Sequence, residues 1–166
     1  MRNFALVRSC LPLLCVSLLC VSLPAAPLPR FEAESLTGRK ITLPAATAGR
    51  SVVLLVGFTQ ASSKQTAEWA KKTKPICETW SMAVLEDVPR LVRGIASHGI
   101  KSGIPKEDQE HFLLLYQHET ELKQAAGFQQ PEHAYVLLVA PDGSIKWRFH
   151  GPVSEDALTE LRKQLQ

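Results

Sequence analysis

Two apolar stretches set the plan of this chain. Ser51–Phe58 (Ser-Val-Val-Leu-Leu-Val-Gly-Phe) is apolar at consecutive positions, the pattern of a strand covered on both faces of a sheet. Ala134–Val139 is apolar throughout, Pro141-Asp142-Gly143 follows as a tight turn, and Ile145-Lys146-Trp147-Arg148-Phe149 alternates in steps of two. That succession predicts a β-hairpin with one apolar face on its second strand.

The segments around these two are shorter. Phe31–Leu36 and Lys40–Leu43 flank the turn Thr37-Gly38-Arg39 and read as an opening hairpin. Ser62 or Ser63 can cap a helix that runs to about Lys74, where Pro75 ends it, with Ala67, Trp69 and Ala70 as its apolar stripe. Trp80–Leu85 is a second short strand. Pro89 opens a helix through Leu91, Val92, Ile95 and Ala96, which breaks or ends poorly between His98-Gly99 and Ile104-Pro105. Phe112–Tyr116 reads as a strand, or as a helix entered through Lys106-Glu107-Asp108. Glu119–Ala126 is helical and stops at Gly127, and Ser154 and Glu155 start a closing helix through Leu158, Leu161 and Leu165. An opening hairpin, a β-α-β unit, a last hairpin and a helix predict an α/β protein of thioredoxin-like fold, a mixed central sheet with helices on both faces.

The first 26 residues stand apart. Arg2 and Arg8 occur without an acid, residues 10–23 carry no charge, and Pro24-Ala25-Ala26 follows. A basic start, an apolar run and small residues form the three-part plan of a secretory signal peptide. The run is short for a membrane span, which takes about 20 apolar residues. An uncleaved N-terminal anchor is the alternative. Leu14 and Leu19 precede Cys15 and Cys20, where lipidation would want a small residue. The expected arrangement is a signal peptide over 1–26 and one domain over 27–166, exported to a periplasm or to the exterior.

Of the 166 residues, 45% are hydrophobic and 21% charged, a globular balance. Without residues 1–26 the 19 basic residues fall to 17, against 16 acids. So even a balance, with no run of five like charges, excludes an electrostatic nucleic-acid footprint. Cys77 is then the sole cysteine of the mature chain, and no intramolecular disulfide can form.

That cysteine count bears on chemistry. In a redox-active protein of this fold the thiolates sit just after the first buried strand, where a helix N-terminus favours negative charge. Here that place reads Phe58-Thr-Gln-Ala-Ser-Ser-Lys-Gln-Thr66, and Ser63 and Thr66, beside Ser62, occupy the positions of a Cys-x-x-Cys. Hydroxyls form no S–S bond and cannot exchange disulfides. Cys77 lies past the end of the helix and is the one residue through which a redox role could run. The five histidines show no spacing of a tetrahedral metal site; His150, at a strand end before Gly151, is the one worth mutating. Gly-x-Ser-x-Gly, a P-loop and a dinucleotide fingerprint are absent. No metal and no cofactor is expected. Tyr135, Trp147 and Phe149 on the last hairpin are the candidate partner-binding residues, since an apolar face left open by a monomer marks a contact site.

Val53-Leu-Leu-Val-Gly-Phe58 followed by Trp69-Ala-Lys-Lys-Thr-Lys-Pro75, and Tyr135-Val-Leu-Leu-Val-Ala-Pro-Asp-Gly-Ser-Ile-Lys-Trp-Arg-Phe-His-Gly151, resemble the first strand and helix and the closing hairpin of the ATP-ten family of mitochondrial ATP synthase assembly factors. Ile104-Pro105-Lys106-Glu107 before an apolar run fits the same family. Phe31–Pro44 is similar to the opening hairpin of the exported redoxins. The resemblance implies a thioredoxin-like fold without a dithiol and brings no catalytic residues. An export signal and Ala140, where an acid is common, depart from the family. The functional expectation is an exported, redox-inactive polypeptide-binding or assembly-factor module whose partner is a polypeptide client or a subunit of a membrane complex. The alternative is a one-Cys thiol redox enzyme, of peroxiredoxin or thiol-disulfide type, using Cys77.

Overall fold

The computed structural model describes residues 26–166. The expected signal segment and Cys10, Cys15 and Cys20 lie outside the described residues. The expected boundary at Ala26 falls inside a two-residue strand, β1 (Ala26–Pro27).

The chain continues through β2 (Phe31–Ser35), β3 (Lys40–Leu43), β4 (Val52–Gly57), α1 (Ser63–Thr73), β5 (Thr79–Val84) and α2 (Arg93–Gly103). It closes with β6 (Phe112–Leu115), α3 (Glu119–Ala126), β7 (Ala134–Val139), β8 (Ser144–His150) and α4 (Glu155–Leu165). The eight strands among the described residues form one sheet in the order β1-β8-β7-β4-β5-β6-β2-β3. β4, β5 and β6 run parallel to one another, as two helical crossovers require, and the remaining pairs are antiparallel.

The two fully apolar segments are neighbours in the sheet's interior. β4 and β7 pair over six residues, Val52↔Val139 to Gly57↔Ala134, and every residue of β7 is buried. Val52, Leu54 and Val56 point into a core closed by α3, with Phe58, Leu113, Leu115, Leu122 and Tyr135. Val53 and Leu55 point the other way, against Trp69 of α1 and Leu158 and Leu161 of α4. Leu114 faces away from the first core and packs with Leu36, Leu85, Ile100 and Ile104 beneath α2. The sheet is therefore mixed and covered on both faces, as the pattern predicted.

Four details differ from the sequence reading. Ala67 is exposed, and the inward stripe of α1 is Thr66, Trp69 and Thr73 with Ala70 half-buried. The segment after Pro89 starts as a 3-10 turn over Arg90–Val92, and α2 then runs unbroken to Gly103 through Gly94 and Gly99; Ile100 and Ile104, packing on Leu114, outweigh the poor helix propensity of glycine. Ser62 occupies the cap position of α1 without capping it, whereas Ser154 Oγ accepts the Ala157 amide and caps α4. Finally, β8 does not keep strict alternation. Leu138 faces Trp147 and Val139 faces Ile145, which leaves Lys146 as a bulge. The bulge turns Ile145 into the α3-side core and Trp147 and Phe149 to the α1/α4 side.

Candidate functional site

The start of α1 and the last hairpin meet at one end of the sheet. β4 ends at Gly57, the chain makes a 3-10 turn over Gln60–Ser62, and α1 begins at Ser63. Ser63 is exposed at the first helical position; Ser62 and Thr66 are buried. Ser62 Oγ donates to the Thr59 carbonyl at 2.8 Å, and Thr66 Oγ1 donates to the Ser62 carbonyl at 3.0 Å. Gly57 makes room for both: a Cβ there would stand 2.9 Å from Ser62 Oγ and 3.3 Å from Thr66 Oγ1. The two buried hydroxyls are thus fastened to their own backbone, and the exposed Ser63 stands at the start of the helix.

Three further hydrogen bonds tie α1 and the loop before it to the last hairpin and the residues that flank it. Thr59 Oγ1 donates to the Pro131 carbonyl at 2.5 Å, Gln65 Oε1 accepts the Ala134 amide at 3.1 Å, and Trp69 Nε1 donates to the Gly151 carbonyl at 2.9 Å. Trp69 is fully buried and packs on the Phe149 ring at 5.5 Å.

Cys77 does not belong to this end. It follows α1 by four residues, and at about 1.5 Å rise per residue the helix that separates it from Ser63 is itself roughly 15 Å long. Its thiol is half-buried among the residues around Trp69, and its Sγ lies 3.9 Å from the Thr73 carbonyl. Burial pushes the Cys77 thiol above its ordinary value; hydrogen bonds with Thr79 and Val53 oppose that push and Glu78 adds to it. A helix C-terminus, which disfavours anions, acts in the same direction. The thiol is protonated at neutral pH.

Of the three hairpin aromatics, Tyr135 is removed from the partner-binding set. It is 0% exposed and lies on the α3 side of the sheet, against Phe58 and Phe128. Its hydroxyl accepts the Gln129 and Gln130 amides and donates to the Gln130 carbonyl. Sequence alternation could not reveal this, because every position of β7 is apolar and buried. Trp147 and Phe149 remain half-exposed, on the other side, with their rings stacked at 5.9 Å and 7°.

Beside them the sheet has an open margin. β1 pairs only with Ser144 and Ile145. Among the described residues nothing pairs with the outer edge of β8 over 146–149, and a strand edge without a partner presents its amides and carbonyls for pairing. Lys146 and Arg148, both exposed, give that margin a positive character.

One pair escaped the sequence reading entirely. His133 precedes β7, His150 ends β8, and their Nδ1 atoms stand 2.9 Å apart with rings inclined at 25°. The ring centroids are 5.1 Å apart, nearly the nitrogen separation plus two ring radii, so the nitrogens meet head-on. That is the geometry of an N–H···N hydrogen bond rather than of two ligands converging on a metal. Seventeen residues separate the two histidines, and only the antiparallel pairing of β7 with β8 brings them together. Among the described residues no three His, Cys, Asp or Glu side chains group as metal ligands, and no helix is long and apolar enough to cross a membrane.

Known proteins supply the class. No family model matches the chain, and no curated protein matches it. Solved structures do match. The exposed lipoprotein thioredoxin Etrx1 of Streptococcus pneumoniae is similar at 17% identity and a TM-score of 0.57, covering 82% of this chain and 100% of its own. StoA of Bacillus subtilis is similar at 16% identity and a TM-score of 0.55, over 86% of this chain and 100% of its own. BsSco, a member of the Sco family of cytochrome c oxidase assembly proteins, is similar at 12% identity and a TM-score of 0.58, over 86% and 95%. The fold is thioredoxin-like. Within that fold, this chain carries Ser63 and Thr66 at the start of α1 and its one described cysteine at the far end of the helix.

Proposed function

We propose that the chain is an exported, redox-inactive member of the thioredoxin-like superfamily that holds an extended polypeptide, as an assembly factor does, along the outer edge of β8. The observation that carries this reading is the open margin over 146–149 beside the stacked, half-exposed Trp147 and Phe149. An extended segment added there gains main-chain hydrogen bonds, and alternate side chains find the aromatic pair. Lys146 and Arg148 favour a client with acidic residues. Thiol chemistry is left out of the reading because hydroxyls fill the start of α1 and Cys77 is protonated and remote. Similarity to BsSco, a member of a family of assembly proteins, and to an exposed lipoprotein supports the class of role and the export of the chain.

Two measurements test this together. A photo-crosslinker placed at Trp147 should trap one or a few polypeptides in the exporting compartment, and the yield should fall at least tenfold when the same probe sits at Lys72 on the outer face of α1. Replacement of Cys77 by Ser should leave the trapped set unchanged, and alkylation of Cys77 in the native protein should be slow at pH 7 and should still be rising with pH where an ordinary exposed thiol has levelled off, because burial raises the thiol. Equal trapping from Trp147 and Lys72 overturns the binding edge. Rapid alkylation at pH 7, with peroxide or disulfide turnover lost in Cys77→Ser, overturns the redox-inactive reading in favour of a one-Cys enzyme.

A further inference from the structure

Residues 89–106 contain Arg90, Arg93, Lys101 and Lys106 and no acid, whereas the rest of the chain from Pro27 on holds 13 basic against 16 acidic residues. One short stretch is positive and the remainder of the domain is negative. The acids at its borders serve other elements: the Glu86 carboxylate accepts the Glu119 amide at 2.7 Å, and Asp108 pairs with Lys74. Asp87 and Glu107 lie just outside its two ends. Arg93 turns inward, donating to the carbonyls of Val88 and Glu86 and lying over the Tyr116 ring. Arg90, Lys101 and Lys106 are exposed and make no ion pair among the described residues.

The same stretch holds the large hydrophobic side chains that stand out from the described surface. Leu91 is 95% exposed, Ile95 75% and Val92 43%. Leu91 and Ile95 are four residues apart and share one side of the helical turn, which His98 and Ser102 continue, with Lys101 and Arg90 along its flank. α2 buries no residue. A Cβ at Gly94, Gly99 or Gly103 would meet nothing within 4 Å, and a cleft of about 340 Å³ opens beside the helix, between Ser97, His98 and Lys101 on one side and Glu34, Thr37 and Tyr116 on the other.

We infer that this face of α2 and the preceding turn is a docking surface for an anionic lipid bilayer. Apolar side chains that project almost fully, on a basic and acid-free segment, have the composition of a helix resting at a membrane interface. The charge contrast with the remainder of the domain selects lipids with negative headgroups. Three apolar side chains offer far less than the roughly 800 Å² per partner of a stable protein interface, whereas shallow insertion into a bilayer needs no complementary pocket.

The test uses the chain from Ala26 onward, which holds all eight strands and four helices. It should co-sediment with phosphatidylcholine vesicles containing phosphatidylglycerol, but not with phosphatidylcholine alone, and binding should weaken as salt rises. Leu91→Asp with Ile95→Asp should lower the partition coefficient at least tenfold, with an unchanged thermal midpoint to show that the fold is intact. Arg90→Gln with Lys101→Gln should lower it by roughly fivefold per charge removed. Lys71→Gln with Lys72→Gln, on α1, should leave it unchanged. Failure to sediment with anionic vesicles, including the case where this face instead captures an acidic protein, overturns the inference. Equal binding by the Leu91/Ile95 variant and the parent overturns it as well.

Discussion

α1 and α2 are both crossover helices of 11 residues, each joining parallel strands on the same side of the sheet, yet they are attached in opposite ways. α1 buries Thr66, Trp69 and Thr73 and reaches Ala134 of β7 and Gly151 after β8 through Gln65 and Trp69. α2 has no fully buried residue, packs through half-buried Ile100, contains three glycines and turns Ile95 to solvent, with Leu91 exposed just before it. Position in the topology therefore does not decide how firmly a helix is held. α1 passes over the paired strands β4, β5 and β7, where an indole can be buried and its N–H satisfied by Gly151; α2 lies over Leu114 of β6, held there by Ile100 and Ile104 with no indole to anchor it. The first helix fixes the geometry of the candidate site, and the second is free to serve as a surface.

This contrast can be broken by substitution. Trp69→Ala should destabilise the domain by about 3–5 kcal/mol, since it empties a buried ring and orphans the Gly151 carbonyl; denaturant titration measures it, and a loss below about 1 kcal/mol would deny α1 its anchoring role. Gly57→Ala should cost about 1–3 kcal/mol, because the new methyl meets Ser62 Oγ. Adding Ser62→Ala should return part of that loss, and strict additivity of the two would show that they do not touch.

On the α2 side the expected effects are small and of the other sign. Gly99→Ala should stabilise the domain by about 0.5–1 kcal/mol, as an exposed helical glycine with open space around it. Leu91→Ala should change stability by less than about 0.5 kcal/mol. A large destabilisation from either would mean that α2 is packed as tightly as α1.

Much of the architecture was legible because it rests on local signals. The continuous apolar runs of β4 and β7, the Pro-Asp-Gly turn, Gly127 at the end of α3 and the Ser154 cap each report their element directly. The candidate site was legible only in its composition. Ser63 and Thr66 could be picked out as hydroxyls at the start of α1, but nothing near them in sequence announces that Gly57 receives the hydroxyls of Ser62 and Thr66. The bulge at Lys146 hid the separation of Ile145 from Trp147, since alternation in the sequence continues through it. Tyr135 was misread for a related reason: in a strand buried on both faces, apolar character says nothing about which side a ring occupies. The His133–His150 pair depends on strand register, which no single-sequence pattern carries.

The central claim is that the outer edge of β8 is held open for a client polypeptide. Amide hydrogen exchange at residues 146–149, read in the free protein and again in the cross-linked client complex, tests it most directly. The outward-pointing amides of this segment should exchange rapidly in the free protein, and should slow by at least tenfold in the complex while those of β4 and β7 remain unchanged. Strong protection of the same amides in the free protein, or no gain of protection in the complex, would contradict the account.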